Sequence, residues 1–94
     1  MARTARLTPR FLARRTALGI TFGSPRSRAI GATIAALAHA ELLPGALDYL
    51  APIPPVQAAF VRRVTGENLW LWFRFDDVSV TIVNISSVPP TPAD

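Results

Sequence analysis

The chain contains no cysteine, no lysine, a single histidine and no acidic residue before Glu41. The lack of cysteine excludes disulfides, thiol chemistry and cysteine-based zinc sites. His39 alone lacks the partners of a metal site or a catalytic triad, so we expect a structural or surface role for it. No stretch reaches the ~20 apolar residues of a membrane span. No glycine-rich phosphate loop or nucleophile elbow is present. We therefore expect a cytoplasmic protein with no metal, no cofactor, no membrane association and no small-molecule substrate.

The basic charge is carried by ten arginines, which are unevenly distributed. Seven precede Glu41, whereas the rest of the chain has three arginines against six acidic residues. This asymmetry predicts an acidic partner for the N-terminal half, either nucleic acid or an acidic protein segment. Arginine suits bidentate contact with carboxylate or phosphate, although GC-rich codon usage also favours arginine over lysine. A cleaved targeting segment is an open alternative for such an arginine-rich start.

Two similar signals mark helix starts. Thr8-Pro9 and Ser24-Pro25 each combine a hydroxyl cap with proline at the first helical position. They predict helices over about residues 8–18, ending at Gly19, and about residues 24–42, ending before Pro44. The apolar positions of these two helices are Phe11, Leu12 and Leu18, and then Ile30, Ile34, Leu37 and Ala38. The short linker between them predicts a helical hairpin.

The remaining segments divide into a connector, three strands and a tail. Residues 43–56 contain four prolines, which predict an irregular connector with at most one helical turn at Ala46–Leu50 and with Tyr49 packed on the core. From Ala58 the period becomes two, and it predicts strands over about residues 58–64, 69–75 and 78–85. Prolines predict an extended tail over residues 86–94. Ala2–Leu7 alternates weakly and could add a short edge strand.

These elements predict one α+β domain over residues 1–94, in which an N-terminal helical hairpin packs on a C-terminal three- to four-stranded antiparallel sheet. Turns at Gly66-Glu67 and Asp76-Asp77 set the register. The first turn predicts the pairs Phe60–Phe73, Val61–Trp72, Arg62–Leu71 and Arg63–Trp70. The second predicts the pairs Phe75–Val78, Phe73–Val80 and Leu71–Ile82. Because Arg62 would then face the core, a one-residue bulge that exchanges Arg62 and Arg63 would remove the conflict.

The segment Arg62–Asp77 combines an arginine-rich strand, a glycine turn and an aromatic strand that ends at two aspartates, and the β-branched strand Val78–Val83 follows. With two preceding helices, this order resembles the RelE/ParE toxin superfamily. The resemblance implies a bacterial type II toxin that a cognate antitoxin holds inactive. It also implies one of two targets, the ribosome and its mRNA, which is cleaved, or DNA gyrase, which is inhibited. Ribonuclease members usually carry basic residues and a Tyr or His near the last strand, whereas residues 83–94 contain no Arg, Lys, His or Tyr.

Under the toxin hypothesis, Arg62, Arg63 and Arg74 are the candidate catalytic residues, because cations would hold a scissile phosphate. Trp70 and Trp72 could stack bases. Arg10, Arg14 and Arg15 complete the candidate set for binding nucleic acid or a partner. The competing interpretation of these residues is that the tryptophans form a second small core under the connector or the tail and that the arginines are solvated. The alternative function is a non-enzymatic protein-binding module, which could be an inactive toxin relative, whose apolar sheet face or basic helices bind another protein. Asp76 and Asp77 are expected to form a turn and not an acid–base pair.

Overall fold

The computed structural model describes residues 2–45, 47–53 and 56–89, and for residues 52, 53 and 56–58 it describes the backbone only. In chain order the elements are β1 (Thr4–Leu7), α1 (Pro9–Ala17), α2 (Pro25–His39), β2 (Tyr49–Ile53), β3 (Val56–Arg63), β4 (Trp70–Phe75) and β5 (Ser79–Ser86). The strands form one five-stranded sheet in the order β1-β5-β4-β3-β2. The α+β class and the two N-terminal helices are thus confirmed, and the sheet has more strands than the sequence predicted.

The predicted helix caps form in both helices. The Thr8 hydroxyl accepts a hydrogen bond from the amide of Phe11, and the Ser24 hydroxyl accepts one from the amide of Ser27. At the other end of α1, Gly19 has a positive φ of 72° and its amide bonds to the Thr16 carbonyl, which closes the helix as the sequence predicted.

The second helix ends at His39, three residues before the predicted end at 42. Carbonyls at its C-terminus are bonded by Arg3, whose amide donates to the Ala38 carbonyl and whose Nη1 donates to the Ala40 carbonyl. Because Arg3, just before β1, bonds carbonyls that a further turn of helix would otherwise bond, the helix can end at His39.

The N-terminal strand pairs in parallel with the last strand. Thr4 lies opposite Ser79 and Arg6 lies opposite Thr81. The short edge strand was predicted, but the wholly antiparallel sheet was wrong. A parallel pair requires a crossover connection, and here α1, α2 and the antiparallel strands between β1 and β5 supply it. The local pattern of a four-residue strand carries no information on so distant a partner.

The strand β2 lies in the segment that was predicted to be irregular. Tyr49 pairs with Val61 and Ala51 pairs with Ala59, with an irregularity before Ile53. Pro52 is compatible with this strand because β2 is at the edge of the sheet, where a missing backbone donor need not break a ladder. The prediction of an irregular connector was therefore wrong at Tyr49–Ile53, while Ala46, Pro54 and Pro55 lie outside the described residues.

The first predicted hairpin register is confirmed: Phe60 lies opposite Phe73 and Arg63 lies opposite Trp70. The proposed exchange of Arg62 and Arg63 by a bulge was wrong, because Arg62 stays opposite Leu71. Its guanidinium is paired with a carboxylate that the connector supplies, which removes the conflict without a bulge.

The second hairpin is shifted by two residues from its predicted register. Phe75 pairs with Val80, where Val78 was expected, and the central turn residues are Asp77 and Val78. The Asp76 carboxylate accepts from the amides of Val78 at 2.8 Å and Ser79 at 2.7 Å. Asp favours the first position of a turn because its side chain bonds the backbone just ahead of it, which explains the shift. A further irregularity after Trp72 places Leu71 opposite Ile85.

These hydrogen bonds to the Asp76 carboxylate predict how the carboxyl group titrates. The backbone hydrogen bonds from Val78 and Ser79 lower the pKa of Asp76 below its usual value. Because the pKa of Asp76 is lower in the folded protein than in the unfolded chain, its ionised carboxylate stabilises the fold fully above the unfolded pKa of about 4. This contribution is lost as the pH falls through the folded pKa. In an NMR titration of the Asp76 carboxyl carbon we expect a midpoint below about 3.9. A midpoint at or above that value would contradict the hydrogen bonds from Val78 and Ser79. Ser79→Ala removes one of the three donors and should raise the midpoint without restoring the usual value.

The main core lies between the helices and one face of the sheet, and its buried members include Phe11, Ile30, Leu37, Phe73 and Ile82. The other face carries a second, smaller cluster, in which Ala51, Ala59, Val61 and Trp72 are buried. The predicted apolar stripe of α2 is confirmed, whereas Leu12 of α1 is 37% exposed and contributes little to the core. The final residues 90–94, predicted to be an extended tail, lie outside the described residues, and β5 continues one residue past its expected end.

Candidate functional site

The sheet face that points away from the helices is called the outer face here. Side chains alternate along a strand, so the residues between the core-facing Leu71, Phe73 and Phe75 point outward. On β4 these are Trp70, Trp72 and Arg74. Through the pairing register they are joined by Val61 and Arg63 of β3, Thr81 and Asn84 of β5, and Arg6 of β1. Two of the three candidate catalytic arginines therefore lie on this face.

Arg62 lies on the opposite, helix-facing side of the sheet. Its Nη2 donates to Asp48 Oδ2 at 2.8 Å and its Nε donates to Asp48 Oδ1 at 2.5 Å. The Asp48 side chain is fully buried and also accepts from the Gly45 amide at 2.6 Å, while the Arg62 side chain is 14% exposed. The pair fastens the connector to β3. A guanidinium committed in this way is a structural group, and it does not join Arg63 and Arg74 in one site.

Arg63 is exposed and held at the turn between β3 and β4. Its Nε donates to the Glu67 carbonyl at 3.0 Å and its Nη2 donates to Asn68 Oδ1 at 2.8 Å. Its Cζ lies 5.6 Å from the centre of the half-buried Trp70 ring, within cation–π range. Arg63 and Trp70 therefore form one unit, with a cation over an aromatic ring at the edge of the outer face.

Arg74 stands at the other end of β4. Four residues separate it from Trp70, or about 13 Å along an extended strand. Thr81 pairs with Arg74 on one side and with Arg6 on the other, so both exposed arginines flank the same threonine, about 10 Å apart across two strand spacings. Arg6 was not among the predicted site residues, because nothing local in the sequence indicates that β1 joins β5.

Trp72 and Asn84 form a buried polar pair in the middle of the outer face. They are opposite each other in the β4–β5 ladder and are 6% and 8% exposed. Within the described part of the chain, Trp72 Nε1 and Asn84 Oδ1 have no hydrogen-bond partner. A ring this deeply buried is not accessible for stacking on a base. Of the two tryptophans proposed as a stacking platform, only Trp70 is partly accessible, and both belong to the second small core that was the competing interpretation.

The three arginines of α1 are positioned differently. Arg10 and Arg14 are exposed, whereas Arg15 is half-buried, with its Cζ 5.8 Å from the centre of the Phe11 ring. Arg14 and Arg15 occupy the last turn, where a cation is favoured by the helix dipole. None of the three belongs to the outer face, so the candidate binding residues divide between two surfaces.

The remaining residues that the sequence singled out, His39 and Tyr49, lie away from the arginines of the outer face or pack in its small core. His39 is exposed at the end of α2. Tyr49 packs on the second cluster, and burial raises the pKa of its hydroxyl. Among the described residues, no group of His, Asp and Glu is arranged to hold a metal ion. No helix in the described ranges has the length and apolar content to cross a membrane.

Comparison with known proteins adds no relative: no family model, no curated protein and no solved structure matches this chain. The chemistry of the site has to be inferred from its own geometry. Arg63 and Arg74 can bind anionic groups at two separated points. Among the described residues of the outer face, no His, Lys or acidic side chain lies between these two arginines to act as a general acid or base.

Proposed function

We propose that the chain is a growth-inhibiting toxin of the RelE/ParE type, which blocks its target by binding through the outer face and does not cleave RNA. The observation that carries the proposal is the β3–β4 hairpin. The segment that resembles the superfamily forms the predicted antiparallel pair, and Arg63, Trp70 and Arg74 of this pair lie on the side of the sheet away from the helices.

The separation of the arginines favours binding over cleavage. Phosphoryl transfer needs several groups aligned on one phosphate. Arg62 faces the other side of the sheet, and the hydrogen bonds of Arg63 direct it to the turn, away from Arg74. Residues 83–94 contribute no basic residue, Tyr or His. Of the two activities that the resemblance implies, inhibition of a macromolecular target such as DNA gyrase fits this geometry better than ribosome-dependent cleavage of mRNA.

Expression in bacteria tests the proposal. The chain is induced in a susceptible host alone, and together with any small acidic protein encoded by a neighbouring gene. We expect growth arrest when it is expressed alone and recovery when the acidic protein is present. Undisturbed growth at a verified level of soluble protein would overturn the proposal.

The mode of action is tested in the same cells. Primer extension on abundant mRNAs should show no new 5′ ends during arrest, while plasmid supercoiling should change if gyrase is the target. New 5′ ends within the mRNAs of arrested cells would contradict the binding mode and leave the toxin assignment standing.

A further inference from the structure

A cleft lies where α2, the connector and the β3–β4 turn meet. Its larger part, of about 480 Å³, is bordered by α2 and the end of β3, and its smaller part, of about 370 Å³, is bordered by the turn. Leu47 and Thr65 line both parts, so the two volumes adjoin. The cleft is called the connector cleft below. Its size is that of small-molecule sites in proteins, which measure about 300–1,000 Å³.

One wall of the larger part consists of apolar side chains of α2. Ala29, Ala32 and Ala36 lie along it, and Leu47 of the connector also lines this part. Leu47 is 75% exposed, and Ala32 and Ala36 are exposed as well, so a ligand with an apolar body would remove apolar surface from water. From Ala29 to Ala36 the wall is about 10 Å long at 1.5 Å per residue, which suits a short alkyl chain.

Two consecutive arginines supply the charged groups of the cleft, Arg62 in the larger part and Arg63 in the smaller part. Arg62 is held by Asp48 through its Nε and Nη2. Arg63 is held at the turn by Glu67 and Asn68 through the same two nitrogens. Both guanidinium groups are therefore fixed by bonds in which their Nη1 atoms take no part. Cations that are held in place before a ligand arrives lose little freedom when it binds.

The charge of the cleft is concentrated at Arg63. Arg62 is neutralised by Asp48, and Glu67 at the turn is paired with Arg26 at 3.0 Å. Within the described part of the chain Arg63 has no ion pair, because its two acceptors are a backbone carbonyl and an amide oxygen. One uncompensated positive charge beside an apolar wall favours a ligand that carries an anionic group at one end of an apolar chain.

We infer that the connector cleft binds a small amphipathic anion, with a carboxylate or phosphate head and a short apolar tail. The head would accept hydrogen bonds from Nη1 of Arg63 and from the Thr65 hydroxyl. The tail would lie along the alanines of α2, where Leu47 could cover it. The inference does not depend on the toxin proposal. Because Arg63 belongs to both surfaces, the location of the ligand is tested at residues of α2, which belong to the cleft alone.

Calorimetric titration of the full chain with octanoate tests the class of ligand, and octyl phosphate is titrated in parallel to distinguish the two head groups. We expect binding, and along the series butyrate, hexanoate and octanoate we expect each added methylene to tighten it about fourfold, as burial of a methylene group implies. Octanol should bind about tenfold more weakly than octanoate, because it lacks the charge. No binding of either anion, or equal binding of octanoate and octylamine, would overturn the inference.

The variant Ala32→Leu tests the location. It fills the cleft beside α2 while the helix is retained, since leucine and alanine are both strong helix formers. We expect octanoate to bind about tenfold more weakly, because the added side chain takes the space of the tail. Ala35→Leu, at an exposed position of the same helix that does not line the cleft, is the matched control and should bind normally. Equal affinities of these two variants for octanoate would contradict the site.

The variant Arg63→Gln tests the charge. It should weaken octanoate about tenfold and leave the binding of octanol unchanged, because only the anionic head loses a partner. Arg28→Gln, which removes the same charge outside the cleft, is the control and should change neither ligand. An equal loss of octanoate and octanol in Arg63→Gln would show a structural role for the arginine and overturn its assignment to the head group.

An anionic lipid surface offers the same head-group chemistry as a free anion, and sedimentation with phosphatidylglycerol vesicles distinguishes the two sources. Sedimentation that Ala32→Leu leaves unchanged, in a chain that does not bind octanoate, would assign the positive charge to a membrane surface and overturn the inference. Growth arrest by a chain that binds neither anion would reject the inference alone. Binding of octanoate without growth arrest would reject the toxin proposal alone.

Discussion

Asp48→Ala is expected to destabilise the protein by about 3–5 kcal/mol, because it leaves the Arg62 guanidinium without its carboxylate in a nearly buried position. Domains have total stabilities of about 5–15 kcal/mol, so this substitution should remove a large part of the free energy of unfolding. The loss follows from the bidentate pair with Arg62 and from the Gly45 amide, which would also lose its acceptor. Urea denaturation followed by tryptophan fluorescence measures it.

The matched control is the exposed pair between Arg26 and Glu67, joined at 3.0 Å with side chains 44% and 26% exposed. Glu67→Gln should change stability by less than about 1 kcal/mol, as is usual for ion pairs in contact with solvent. The double variant Asp48→Leu/Arg62→Met removes both charges and should recover most of the loss. Equal effects of Asp48→Ala and Glu67→Gln would show that the buried pair does not fasten the connector.

Phe11→Ala is expected to cost about 3–5 kcal/mol, the usual range for truncating a fully buried phenylalanine. Phe11 is 0% exposed and joins α1 to the main core. The neighbouring Leu12 is 37% exposed, so Leu12→Ala is the matched control and should cost less than about 1 kcal/mol. The difference in stability between these two variants shows whether the arginine-rich helix α1 is packed as part of the folded domain. Similar small effects of both substitutions would mean that it is not.

The helix starts and the first hairpin depend on neighbouring residues and were predicted from the sequence, whereas the second turn was misplaced by two residues although Asp76 bonds its own neighbours. The hydroxyl-proline pairs at Thr8 and Ser24 set the helix starts through hydrogen bonds three residues away. The register of the first hairpin followed from alternation and from the turn at Gly66, which has the positive φ that glycine adopts easily. Both are local determinants, so the sequence alone was sufficient for them.

Features that depend on distant residues were missed. The parallel pairing of β1 with β5 joins residues more than seventy positions apart, such as Thr4 and Ser79. The Arg62–Asp48 pair required the connector to form β2, which its prolines argued against. The candidate site differs from the prediction for the same reason. Arg62 does not lie on the outer face, and Arg6 lies near Arg74 because β1 pairs with β5.

The central claim is that the outer face, and not the basic helical side, acts on the target. Its most direct test compares two double variants with the same loss of charge in the growth assay. We predict that Arg63→Gln/Arg74→Gln abolishes growth arrest, while Arg14→Gln/Arg28→Gln, which alters exposed arginines of the helices, still arrests growth. All four positions are exposed, so folding should be preserved, and circular dichroism verifies it. Arrest that persists in the Arg63/Arg74 variant and disappears in the Arg14/Arg28 variant would contradict the account.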